Sequence, residues 1–217
     1  NDRAQIIGRR TFGKGLVQRP YRLKDGSTIR VTISRYYTPS GRCIQKSYVS
    51  KKEYRNDYFI RLKSGELFNK DSIHVIDSLK FKTTSGRIVY GGGGIIPDVF
   101  VPADSTNFID YYIECQKRKV ALIYAISYVR SHAEYFKRKS LQTYMRTFHL
   151  PPSFDKDFSS LAINLGVEKN VVQFNQTQKL LRADIKSLIA RELFGLNGYY
   201  RSQHAIDECL TLARSGN

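Results

Sequence analysis

Cysteine is scarce in this chain of 217 residues: Cys43, Cys115 and Cys209 lie far apart and form no CxxC. An odd count at those spacings excludes a disulfide framework and a thiolate zinc site. His74, His132, His149 and His204 are equally scattered, with no HExxH, so each reads as a surface or packing histidine. Metal chemistry has no foothold here, and no residue pattern calls for an organic cofactor. Long apolar runs are missing too; none approaches the roughly 18 residues of a membrane span. No charged-then-apolar leader opens the chain, which begins Asn1-Asp2-Arg3 and reads as a piece of something longer.

Acidic side chains are the next shortage, 19 against 36 basic ones, for a formal charge of +17. Such a balance suits a nucleic-acid binder or a protein held at an anionic membrane surface. The surplus is spread, however, with 20 basic and 9 acidic groups up to residue 104 and 16 and 10 after it. Its short clusters, Lys117-Arg118-Lys119 and Lys137-Arg138-Lys139, fall in helical patterns, where a solvated face is the ordinary reading. No specific nucleic-acid partner is expected, while electrostatic steering of acidic partners stays open. What the chain does have is 41% hydrophobic and 12% aromatic residues, which excludes wholesale disorder.

The two halves differ in periodicity. Residues 4–9 read as a short buried strand. From Leu16 the pattern alternates, and Asp25-Gly26 between two β-rich runs predicts a hairpin, with Thr28, Arg30 and Thr32 opposed to Ile29, Val31 and Ile33. Thr38-Pro39-Ser40-Gly41 follows as a turn. Residues 48–78 read as an excursion over the surface, with a short helix around 50–63. Strands return at Leu79–Thr83 and Ile88–Tyr90 around a Ser85-Gly86 turn. Ile95 to Pro102, with two prolines, is an edge segment.

After Asp104 the spacing becomes helical, first over Phe108 to Tyr135, then over 154–165, 174–194 and 205–213, with Pro151-Pro152 between the two groups. Gly166 and Gly195 stand where helices stop. The fold class is therefore α+β, with residues 1–104 as the mixed part and 105–217 as an all-α extension.

The most distinctive stretch is Gly8-Arg9-Arg10-Thr11-Phe12-Gly13-Lys14-Gly15. It approaches the phosphate-cradling GxxxxGK[ST], but Gly15 replaces the hydroxyl residue, and a β pattern follows where that site needs a helix N-terminus. A lysine between glycines has another use. Removed from water, its ammonium is disfavoured, and the neutral amine can take a proton from a serine hydroxyl.

Residues 7–46, from Ile-Gly-Arg-Arg-Thr-Phe-Gly-Lys-Gly-Leu-Val-Gln to Arg-Tyr-Tyr-Thr-Pro-Ser-Gly-Arg-Cys-Ile-Gln-Lys, together with Gly-Gly-Ile-Ile-Pro-Asp-Val at 93–99, resemble the C-terminal processing peptidases, tail-specific S41-type serine proteases. Three blocks in that family's order cover about half of the chain. The resemblance implies the C-terminal part of a ClpP/crotonase-like protease core followed by a helical extension. It implies Lys14 as general base and Gln18 as its support, and it places the serine, the oxyanion amides and a PDZ domain upstream of Asn1. The fragment alone is then expected to be inactive. Protein or peptide substrates with exposed, apolar C-termini and a periplasmic or cell-envelope location are implied in the same way, with no cofactor. Pairing of two copies stays open, since a bare sheet edge favours it.

Within the chain, Ser153-Phe154-Asp155-Lys156 fits SxxK, but Ser153 after Pro151-Pro152 reads as a helix N-cap, and Ser40 as a turn serine. Gly91–Gly94 reads as a tight chain crossing. Asp98 reads as a partner for a nearby backbone group rather than a catalytic carboxylate, and Arg42 as stacked on Tyr36 or Tyr37 or held in a buried hydrogen bond. Two readings from other classes stand beside the peptidase: a non-catalytic helical binding or adaptor module with a degenerate protease remnant, and a basic nucleic-acid-binding domain.

Overall fold

The Asp25-Gly26 dipeptide turns the chain as its chemistry dictates. In the computed structural model, which describes residues 2–48 and 50–216, Gly26 takes φ +85°, and Asp25 Oδ1 accepts from the Ser27 amide at 3.0 Å and the Ser27 hydroxyl at 2.7 Å. Strands β2 (Leu16–Arg22) and β3 (Thr28–Arg35) pair antiparallel on either side. The register shifts between Val17 and Gln18: Val17 faces Ser34 while Gln18 faces Thr32, which leaves Ile33 as a bulge on β3. The aliphatic face of this hairpin is wet, with Tyr21, Ile29, Val31 and Ile33 between 41% and 53% exposed.

The chain divides into two compact units, Asn1–Ala103 and Asp104–Asn217. In the first, only Ile7–Gly8 of the expected 4–9 strand is regular (β1), and it pairs parallel with β6 (Val99–Phe100). The strand is short because Ile6 donates to the Asp98 carboxylate at 2.8 Å instead of extending the ladder. Strands β4 (Lys80–Lys82) and β5 (Ile88–Tyr90) form the second expected hairpin. Helix α1 (Lys51–Lys63) starts at Ser50, whose hydroxyl accepts from the Glu53 amide. Neither this helix nor the segment after it is merely superficial. Arg61, Glu66 and Leu67 are buried, because the Glu66 carboxylate meets Arg10 there in two bonds of 2.6 and 2.5 Å.

The glycine run makes the expected crossing. A Cβ on Gly94 would stand 2.2 Å from the Thr11 carbonyl oxygen. Around it the Gly92 and Gly94 amides donate to the Cys43 and Ile44 carbonyls, and the Thr11 amide donates to Ile95. Three stretches distant in sequence are thereby knit together.

The second unit is all helix: α2 (Asp110–Lys117), α3 (Val120–Ser131), α4 (Ala133–Phe136), α5 (Leu141–Thr147), α6 (Phe154–Asn164), α7 (Val171–Gln203) and α8 (Glu208–Arg214). Helix α7 buries Phe174, Thr177, Leu181, Ile185 and Ile189, a 3–4 spacing that lays one stripe against α3. Aromatic rings fill the rest: Phe154 meets Tyr124 edge-on at 5.4 Å, and Tyr144 stacks on Phe148 at 4.7 Å. Tyr144 is fully buried, and its hydroxyl donates to the Lys186 carbonyl at 2.7 Å.

Gly195 interrupts α7 with φ +68° and ψ −160°. Beyond it the helix folds back. Gln203 Nε2 lies 3.5 Å from Asp184 Oδ1, whereas 19 residues of straight helix span about 28 Å. The stop expected at Gly195 is thus a reversal followed by further helix.

Ser153 occupies the N-cap position of α6 in a helical conformation, but its side chain makes no capping bond; the Phe154 amide takes the Pro151 carbonyl instead. Ser153 and Lys156 are both exposed. Among the described residues no helix is long and apolar enough to cross a membrane, and no cluster of His, Cys, Asp and Glu could hold a metal ion.

Candidate active site

The loop of residues 9–15 joins β1 to β2, and its backbone is clamped almost throughout. Arg61 reaches from α1 to place Nη1 3.1 Å from the carbonyl oxygens of both Arg10 and Thr11, with Nη2 3.4 Å from that of Phe12. Its Nε lies 2.9 Å from Asp57 Oδ2 as an ion pair, without a hydrogen bond at that nitrogen. Burial, then the Arg10 guanidinium, pulls the Arg61 pKa below the ordinary arginine value, while Asp57 and Glu66 pull it back. Further along, Gly13 O accepts from the Lys46 amide at 2.9 Å, the Gly15 amide donates to Gln45 Oε1 at 2.8 Å, and Gly15 O accepts from the Tyr36 amide at 2.7 Å.

These clamps fall on residues 10–13 and 15. Lys14 projects between them, exposed. Its flanking glycines are buried, and a Cβ on Gly15 would stand 2.7 Å from the Ile44 side chain, so the loop lies flat on 44–46 and turns its lysine outward.

Lys14, Leu16 and Gln18 follow one another at the two-residue period of an extended chain and line one cleft of about 960 Å³. Gln18 Nε2 is 3.4 Å from Thr32 Oγ1 on the neighbouring strand. Thr32 and Arg35 line the same cleft although they stand three positions apart; in a regular strand they would point to opposite faces. The bulge at Ile33 resets the alternation and brings Arg35, opposite Leu16, round to the Lys14 side.

Phe12, Tyr48 and Tyr54 form the aromatic wall. Lys46 is buried beneath it, with Nζ 3.0 Å from the Tyr54 carbonyl, 3.1 Å from Asp57 Oδ2, and 3.7 Å from the Phe12 ring centroid. Ring faces and a carboxylate together satisfy this ammonium and hold Phe12 against α1.

The two residues singled out from the sequence, Lys14 and Gln18, therefore share one cleft. Sequence reasoning did not identify Arg35, Gln45, Lys46, Tyr54 or Arg61 as parts of this site. Gln45 and Lys46 close the second motif block, which is a signal; Arg61 sits in a helix of mixed polarity and carries none.

Asp98 and Arg42 lie elsewhere in this unit. Asp98 accepts from the Ile6 amide and pairs with Arg87. Arg42 Nη1 donates to the Tyr90 carbonyl at 3.2 Å, the backbone bond alternative to ring stacking.

Comparison with known proteins gives these positions a context. Residues 1–53 match peptidase family S41, and residues 111–195 match a family of unknown function (DUF8443). A carboxyl-terminal-processing protease of Synechocystis sp. is 48% identical over 46 residues, 21% of this chain and 11% of that protein. The chloroplastic C-terminal processing peptidase of Tetradesmus obliquus is 54% identical over 48 residues, 22% and 10% of the two chains. Carboxyl-terminal-processing peptidase 1 of Arabidopsis thaliana, also chloroplastic, is 52% identical over 40 residues, 18% and 8%. The matched region thus spans about a tenth of the length of these relatives. No solved structure gives a significant match. The similarity to carboxyl-terminal-processing proteases is carried by the amino-terminal segment.

Proposed function

We propose that residues 1–103 are the base-bearing part of a serine endopeptidase that processes proteins from near their C-termini, with Lys14 as the general base and Gln18 as its support. The observation that carries this reading is the cleft itself: a flattened, clamped loop presents Lys14 on the same face as Gln18, beside an aromatic wall. The Lys14 amine in its neutral form takes the proton of a serine hydroxyl, whose oxygen attacks the peptide carbonyl. The resulting ammonium returns that proton to the departing amine, and water then hydrolyses the acyl-enzyme with the same amine as base. Gln18, two strand positions beyond Leu16, orients the amine. The serine belongs to a segment outside these 217 residues, and that segment and the bound peptide exclude water from Lys14.

Exposed, unstructured protein C-termini are the substrates that this reading assigns. The test is Lys14→Ala in the intact protein, assayed for cleavage of a peptide with an apolar C-terminal tail. Turnover falls by at least about a thousandfold while peptide binding persists. Lys14→Arg, which keeps charge but cannot shed its proton, is equally inactive. Turnover unchanged in Lys14→Ala rejects the dyad.

A further inference from the structure

The cleft holds more positive charge than proton transfer needs. Three cations line it, Lys14, Arg35 and Lys46, and no aspartate or glutamate does among the described residues. The charge of Lys46 is met by Asp57 and by the Tyr54 carbonyl. Lys14 is assigned to the proton. Arg35 is left, exposed, with no ion pair or hydrogen bond to its guanidinium among the described residues. It reaches this face only because of the bulge at Ile33, which turns what would be a side chain of the aliphatic face toward the cleft.

We propose that Arg35 is a specificity-determining residue that takes a carboxylate of the bound peptide. The proposal rests on the peptidase reading of the cleft and names what that cleft selects. A guanidinium presents a planar fork of donors matched to the two oxygens of a carboxylate. Arg35 stands opposite Leu16, and Lys14 precedes Leu16 by two residues, at most about 7 Å of chain. An extended peptide advances about 3.3 Å per residue, so the recognised carboxylate lies about two residues from the bond at Lys14. The aromatic wall of Phe12, Tyr48 and Tyr54 takes an apolar side chain next to it. Two sources supply such a group, the free C-terminus of an apolar tail or an internal Asp or Glu.

The test measures binding of fluorescent peptides to the 217-residue chain by anisotropy, which needs no nucleophile. Four peptides of one apolar sequence are compared: free acid or amide at the C-terminus, each with Glu or Gln at an internal position. Loss of the recognised carboxylate weakens binding about tenfold, and the arm that loses it names the source. Arg35→Ala weakens the acidic peptides about tenfold and leaves the amide–Gln peptide unchanged. Arg35→Lys, keeping the charge, recovers part of the loss, and Lys179→Ala, a charge removed elsewhere, stays within twofold. Equal binding of all four peptides, or Arg35→Ala indistinguishable from the parent, overturns the assignment. The peptidase reading is decided separately by turnover of the Lys14 variants in the intact protein. There Arg35→Ala raises KM for the carboxylate substrate with kcat kept.

Discussion

Arg61 Nη1 lies 3.1 Å from the Thr11 carbonyl oxygen, so a buried side chain of α1 holds the loop that presents Lys14. Among the described residues, no other charged side chain of α1 bonds to that backbone. Arg61→Ala leaves three loop carbonyls and Asp57 without this partner and destabilises the first unit by about 3 kcal/mol, read from urea unfolding. Turnover of the intact protein falls with it. Arg61→Lys recovers little, because one ammonium cannot serve three carbonyls spread along a chain.

Two glycines are constrained for different reasons, and alanine separates them. At Gly94 the added Cβ meets Thr11 O at 2.2 Å on a backbone with φ +95°, so Gly94→Ala costs about 3 kcal/mol and displaces the Lys14 loop. At Gly195 nothing stands within 4 Å of the added Cβ, and the cost is the dihedral alone, about 2 kcal/mol. Hydrogen exchange distinguishes them: Gly195→Ala loosens residues 196–203 and leaves the first unit protected.

Asp184 is half-buried where Tyr112 OH at 2.6 Å, Gln116 at 3.0 Å and Gln203 at 3.5 Å converge on its carboxylate. Burial raises its pKa above the ordinary carboxylate value, and the three donors only partly offset that. The native state therefore holds this proton at a pH where the unfolded chain has lost it. Stability from this group is complete below the unfolded pKa, about 3.9, and falls as pH rises through the native value. Asp184→Asn removes that slope and gains stability at pH 7 relative to the parent, as urea midpoints between pH 4 and pH 7 show.

In the helical core, Tyr144→Phe loses the hydrogen bond to Lys186 O and costs about 1 kcal/mol. Phe158→Ala, at a fully buried ring, costs about 4 kcal/mol through the cavity it leaves. Thermal melts order the two.

Local chemistry made much of this legible. The hairpin at Asp25-Gly26, the crossing at Gly91–Gly94 and the duty of Asp98 each follow from turn residues, absent side chains or a carboxylate beside a proline. The stripe of α7 follows from spacing alone. Arg35 was not legible, because alternation counted from Thr28 assigns it to the aliphatic face with Ile33, and a bulge inserted between partner strands leaves no mark in one strand's pattern. Arg61 and Glu66 escaped for a related reason. Burial of these charged groups depends chiefly on partners about 50 residues away, which periodicity cannot see. At Gly195 a helix stop was visible, but not the return of the helix on its far side.

The aliphatic face of the hairpin sets the solution behaviour of this chain. Ile29, Val31 and Ile33 stand bared on a ribbon of two strands, an adhesive patch, while a net +17 makes any two copies repel. At low ionic strength repulsion acts over tens of ångströms and keeps them dispersed; at 1 M salt its range shrinks to about 3 Å. Purification in concentrated salt, a common remedy for basic proteins, would here favour clumping rather than prevent it.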